Sequence, residues 1–420
     1  MIVATLLPFL SAKVRSNSQI SSAVMVVLVV RQVVSFAQVY TNGLFTVAKD
    51  PIAFHTQVSM GFGPLTRDNY GVVLGSIYQA FGASHLLGCE FSQIAMSLAL
   101  IVMVELFFRV GLERGAPRLI LIFGLLPSML LNTSVTSREA FQVLFLLSFV
   151  LGILSLKQDG VTPTGVLVPA AGLMLGFSHQ GFSLLIFILL PVSLLWLART
   201  RPNVLMGGIF FFALIGVLFG GRIYSSLTRS SNVLSKLESG MGLEYIDGYQ
   251  ESVERSRTDF DATLDLSSVG SLMKTGPPVL LNYMFSPLPW QVQGYTDLYG
   301  FGESLVRFFL LVGALRMLKK SSGDHRSDLF LLFIMFALVE LMWATGTSNW
   351  GTAFRHRTVA YGVLVVLGGP FFVRTKLEEL EDGASTRPVK KSLRAQIRER
   401  RTRSGTRRAT LGKKRRRTGQ

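Results

Sequence analysis

The chain has 420 residues, 49% hydrophobic and only 16% charged, with a mean hydropathy of +0.44. That balance excludes an ordinary soluble enzyme and predicts an all-α, polytopic integral membrane protein built on long apolar runs. The net charge of +17 would suit a nucleic-acid binder, but residues 374–420 alone hold 17 Lys and Arg against 5 Asp and Glu. Such a segment reads as a basic, disordered cytoplasmic tail beside anionic membrane lipid, with no nucleic acid among the partners. Residues 1–373 are then the transmembrane domain and 374–420 the tail.

The first twelve residues are apolar and precede Lys13 and Arg15, the reverse order of a cleavable signal, so this end is expected to be retained. Apolar runs then predict about ten spans: 20–40, 86–110, 118–131, 138–156, 165–177, 181–198, 204–221, 301–317, 329–345 and 359–373. Several fall short of the roughly 20 residues that a perpendicular helix needs, as expected of tilted spans or of half-helices that stop at a cavity. Arg31, Glu90 and Glu105 are read as the only charges within spans away from their ends. Lys13, Arg15, Arg109, Arg114, Arg118, Lys157, Arg199, Arg201, Arg316, Lys319, Lys320 and Arg326 all fall on one side of this alternation. The positive-inside rule makes that side cytoplasmic, with both termini inside.

The external segments are then 41–85, 132–137, 178–180, 222–300 and 346–357. Within the first, residues 69–82 have the spacing of a helix lying along the membrane surface. The long external loop 222–300, between spans seven and eight, has the length of a lid or binding segment. Cys89, the one cysteine, excludes a disulfide framework. No nucleotide-binding glycine loop, hydrolase motif or metal-ligand spacing appears, so neither metal nor cofactor is expected.

Candidate chemistry gathers on the external side. Asp50 opens Asp-Pro-Ile-Ala-Phe-His, either as a turn opener or as a carboxylate placed for general-base work. Ser137 and Glu139 suit the start of a helix as N-cap and first-turn acid. Arg138 at the same place is unfavourable unless it meets an anion, and helix N-termini also suit phosphate. His179 sits in a tight turn, as structure or as proton carrier. The stretch 346–357 contains Asn349, Arg355, His356 and Arg357. Charges at a membrane boundary either snorkel or mark function, and guanidinium suits bidentate phosphate recognition.

Three patches carry a family resemblance. Pro127-Ser128 with Asn132 to Ala140, the run Asn349 to Arg357, and the early loop with Asp50, Tyr70 and Tyr78 together resemble bacterial polysaccharide polymerases of the O-antigen and exopolysaccharide type (Wzy-like), and more loosely the GT-C glycosyltransferases. Asn132 and the Val359-Ala360 pair depart from the family pattern. The resemblance implies transfer of a polyprenyl-diphosphate-linked glycan to an acceptor sugar at the outer face of a bacterial inner membrane, alongside envelope glycan-assembly proteins. It also implies substrate-binding roles for Tyr70, Arg138, Asn349, Arg355, His356 and Arg357, and proton-transfer roles for Asp50, Glu139 and His179. A transporter or flippase for a lipid-linked or anionic solute is the alternative, and it predicts charges along a path through the membrane.

Overall fold

The computed structural model describes residues 2–41, 50–61, 69–178, 180–200, 260 and 268–373. The expected span 204–221, most of the loop 222–300, His179 and the tail lie outside the described residues. Among the described residues every regular element longer than a single bridge is helical. The chain divides into two units, Met1–Val373 and Arg374–Gln420.

In chain order the helices are α1 (Ile2–Leu6), α2 (Ala12–Arg15), α3 (Ser18–Tyr40), α4 (Asp50–Met60), α5 (Asn69–Phe81), α6 (His85–Arg109), α7 (Ala116–Leu125), α8 (Pro127–Thr133), α9 (Glu139–Asp159), α10 (Pro163–Ser178), α11 (Gln180–Thr200), α12 (Val269–Phe285), α13 (Tyr295–Lys320), α14 (Gly323–Thr345), α15 (Trp350–His356) and α16 (Thr358–Gly368). Five of them, α3, α6, α9, α13 and α14, are long and apolar enough to cross a membrane, and α7 with α8 makes a sixth if the bent pair is one span. The chain is thus built as a helical integral membrane protein.

Local sequence sets the boundaries. Asn17 caps α3 by accepting from the backbone N–H of Gln19 and Ile20, which satisfies two of the donors that every helix start leaves orphaned. Between α7 and α8 the axis turns by 58°. Leu126 precedes Pro127 and adopts an extended ψ of 139°, because the proline ring disfavours helical geometry at the residue before it. The expected span 118–131 is therefore two half-helices. Helices α13 and α14 begin six residues earlier than the expected 301–317 and 329–345. Their polar first turns, with Asp297 and Asp324, continue the helix beyond the apolar run.

A continuous core joins α3, α6, α7, α9, α13, α14 and α16. Helix α16 is buried along its whole length, so it is a central post with no lipid-facing side. Gly368 lets it approach α13: a Cβ there would collide with the backbone carbonyl of Leu310. At one end of the bundle Lys13 pairs with Glu105 at 2.6 Å, and Arg109 bridges Glu105 at 3.2 Å and Asp159 at 2.8 Å. Lys157 pairs with Asp328 and lies 4.8 Å from the ring centre of Trp196. Lys13, Arg109 and Lys157, three of the basic residues expected to share a side, meet at this end. Val373 leaves the unit there too, packed against Gly115.

Candidate functional site

The opposite end of α9 carries the candidate site. Asn349 caps the short α15 by accepting from Thr352 N–H at 2.8 Å. The helix then carries Arg355 across to α9, where Nε and Nη2 both reach Glu139 Oε1 at 2.6 Å. Glu139 is 3% exposed and Arg355 13% on their side chains. Burial lowers the Arg355 guanidinium to about 10, which leaves it charged at neutral pH. Two residues 216 apart in sequence are thereby locked together.

Tyr70 comes to the same place from α5. Its ring packs edge-on to Phe54 at 5.2 Å and lies 5.8 Å from Phe141, two residues beyond Glu139. Burial raises its hydroxyl well above the ordinary range, with the Glu139 charge adding to the effect. Arg138 takes the N-cap position of α9, and its guanidinium lies 5.9 Å from the Phe54 ring centre. Ser137 does not cap α9. Its hydroxyl donates to Asn132 O at 2.5 Å, closing the turn between α8 and α9 instead.

The remaining sequence candidates fall into three settings. His356 stacks on Trp343 with ring centres 3.8 Å apart, and its Nδ1 lies 2.9 Å from Thr347 Oγ1. Arg357 is 1% exposed and donates to the carbonyls of Met284 and Ser286, each at 2.9 Å. It thus closes the C-terminal end of α12, where a cation meets the negative end of the helix dipole. Asp50, read from Asp-Pro as a turn opener or a general base, instead starts helix α4, but its side chain lies outside the described residues, and so does His179.

The structure adds a neighbouring group that sequence reasoning did not assemble. His55 on α4 holds Nδ1 2.9 Å from the Tyr78 hydroxyl on α5 and stacks on His85 at 5.0 Å between ring centres. Burial lowers the His55 pKa below its ordinary value. Tyr78 was visible as part of the early loop, whereas His85 carried no signal beyond its place before an apolar run.

Half-helix α8 links this end to the bundle interior, and a buried charge meets each of its ends. At its start, Ser128 N–H donates to Glu303 Oε2 at 2.7 Å. At its end, Arg31 donates from Nη2 to Thr133 O at 2.6 Å and Oγ1 at 2.8 Å, from Nη1 to Met129 O at 3.3 Å, and from Nε to Gln93 Oε1 at 3.0 Å. An anion at the N-terminus and a cation at the C-terminus match the dipole of this short, seven-residue half-helix. Non-helical backbone inside a bilayer is tolerated where protein groups satisfy it in this way.

Reading Arg31, Glu90 and Glu105 as the charges within spans was incomplete. Arg307 of α13 pairs with Glu340 of α14 at 2.5 Å, with side chains 0% and 3% exposed. Glu303 lies one turn before Arg307 on the same helix face. Tyr361 borders the Arg307 guanidinium at 6.0 Å from ring centre, and Tyr283 stands beside Glu340 but outside hydrogen-bond geometry. Five atoms here have no partner among the described protein atoms: Arg307 Nε and Nη1, the hydroxyls of Tyr283 and Tyr361, and Glu340 Oε1. At about 1–3 kcal/mol for each buried unsatisfied group, their combined cost would rival the roughly 5–15 kcal/mol net stability of a whole domain.

Among the described residues no three His, Cys, Asp or Glu side chains come together as metal ligands. Comparison with models of protein families, with curated proteins and with solved structures finds no match for this chain.

Proposed function

We propose that the chain is a membrane glycosyltransferase of the polysaccharide-polymerase type, moving a glycan from a polyprenyl diphosphate onto an acceptor glycan. The observation that carries this reading is the Glu139–Arg355 pair. It unites two of the three sequence patches that resemble such enzymes, and Tyr70 brings the third against Phe141.

In this reading Arg355 and Arg138 hold the donor diphosphate and stabilise its charge as it leaves. Taking up the phosphate draws Arg355 from Glu139 and frees the carboxylate. Glu139 then accepts the proton of the acceptor hydroxyl, whose oxygen bonds to the anomeric carbon as the bond to the lipid diphosphate breaks. Asp50 and His179 assist proton transfer. Asn349 and His356 set the placement of α15, and Tyr70 the wall opposite. Arg357 is a positioning residue that ties α15 to the end of α12. The ten spans expected from the sequence would put this end outside, with both termini cytoplasmic and the basic tail on anionic lipid. The expected loop 222–300 includes α12 and the start of α13, with Tyr283 buried in the bundle, so a covering role over glycan falls to the residues before α12.

The test is lipid-linked glycan analysis of a bacterial strain that carries Arg355→Ala in place of the natural protein. The expected result is accumulation of single repeat units on outward-facing lipid. An unchanged chain-length distribution would overturn the proposal. A second reading, a flippase for a lipid-linked or anionic solute, draws on the Arg307–Glu340 pair inside the bundle, since buried intramembrane charges mark solute paths. In that case the same variant would lack outward-facing repeat units altogether.

A further inference from the structure

The orphaned polar atoms around Arg307 point to a bound species, and their chemistry identifies its class. Four helices contribute: Tyr283 from α12, Arg307 from α13, Glu340 from α14 and Tyr361 from α16. All four side chains are nine-tenths or more buried. Arg307 is partly committed already, its Nη2 reaching Glu340 Oε2 at 2.5 Å and Met284 Sδ at 3.6 Å. That leaves Nε and Nη1 as donors in need of acceptors, Glu340 Oε1 as an acceptor in need of a donor, and two phenolic hydroxyls that serve as either.

A lone metal cation would meet Glu340 and the phenolic oxygens but leave the two guanidinium N–H groups unmet, beside a like charge. A lone anion would meet those N–H groups but face the Glu340 carboxylate. The nearby charges also cancel, with Arg307 and Arg357 against Glu303 and Glu340, so the place has no net charge to recruit an ion. Water supplies donors and lone pairs from one molecule, and buried waters make about three hydrogen bonds each to groups of this kind.

We propose that Arg307, Glu340, Tyr283 and Tyr361 bind an occluded water cluster inside the helix bundle, a hydrated polar chamber enclosed by the hydrophobic core. The assignment is independent of the glycosyltransferase reading, because it uses none of the residues given roles in transfer. It accounts for two fully buried tyrosines whose hydroxyls meet no partner among the described protein atoms.

Hydroxyl-radical labelling by X-ray radiolysis tests it, with full-length protein in lipid nanodiscs and mass-spectrometric readout. Radiolysis makes radicals from water in place, so side chains beside bound water are labelled however deeply they lie. Tyr283 and Tyr361 are expected to be labelled several-fold faster than Met96 and Met103, which are equally buried in the apolar core, although methionine is intrinsically the more reactive side chain. Labelling of the two tyrosines at or below the rate of those methionines would overturn the proposal. Tyr361→Phe keeps the ring and the packing, and in it the labelling of Tyr283 should fall several-fold. Unchanged labelling of Tyr283 in that variant would overturn the shared cluster.

Discussion

Replacing Arg31 with alanine should be among the most destabilising single changes in the transmembrane unit. The side chain is fully buried, and its three guanidinium nitrogens donate to Gln93, Met129 and Thr133, joining α3 to α6 and to the C-terminal end of α8. Neutral hydrogen bonds between membrane helices average about 0.6 kcal/mol, so four of those would cost little. Hydrogen bonds to a buried charge are worth roughly 1.5–3 kcal/mol each. Some loss is recovered, because Gln93 still donates to Ser35 at 2.7 Å and the guanidinium is no longer desolvated. The buried acceptors left unpaired, chiefly Gln93 Oε1 and Thr133 O, cost about 1–3 kcal/mol each, so a net loss of about 2–4 kcal/mol is the expected effect. Arg31→Lys keeps the charge but not the planar fork and should lose less, roughly half as much. The assay is equilibrium unfolding of purified protein in mixed micelles, followed by circular dichroism. If both variants unfold within about 0.5 kcal/mol of the wild type, the range of an ordinary surface change, then α8 is not held by Arg31.

Two other outcomes follow from packing and protonation. Gly368→Ala should destabilise by roughly 1–3 kcal/mol as an overpacked site, because its methyl would meet the Leu310 carbonyl. The same unfolding assay reads it, and a neutral result would refute the close approach of α16 to α13. His55 is held below its ordinary pKa of 6.5 by burial, so between the lowered value and 6.5 the unfolded chain binds the extra proton. Its contribution to stability is therefore complete above 6.5 and declines as pH falls through that window, levelling below the folded-state pKa. Unfolding midpoints at about pH 7.5 and about pH 5 should differ more for the wild type than for His55→Gln. Equal differences would refute a proton-sensitive role for His55.

Much of the architecture was legible because hydrophobic periods and lengths speak directly of membrane helices. The expected span 20–40 and the observed α3, or 181–198 and α11, differ only at their ends. A helix forms where the spacing over 69–82 predicted one, as α5, with Tyr70, Leu74 and Tyr78 buried along one face. The break in the third span was signalled by Pro127, but its consequence was not. Nothing local says that Glu303, 175 residues away, will meet the N-terminus of α8. Glu303, Arg307 and Glu340 fall inside the expected spans 301–317 and 329–345 but are passed over as charges within spans, and nothing local gives their register across α13 and α14. At the candidate site the positions of Arg138, Glu139 and Arg355 were readable from motif and charge. That Arg355 would choose Glu139 while Arg357 would turn to the carbonyls of α12 depended on α15, a helix too short to announce itself by period.

The most direct test of the central claim uses purified protein in liposomes, supplied with a lipid-diphosphate-linked repeat unit and a glycan acceptor, with product length read by mass spectrometry. The account predicts chain extension by the natural protein, loss of extension with Arg355→Ala, and partial extension with Arg355→Lys, which keeps charge without the bidentate fork. Extension that persists undiminished in Arg355→Ala would contradict it.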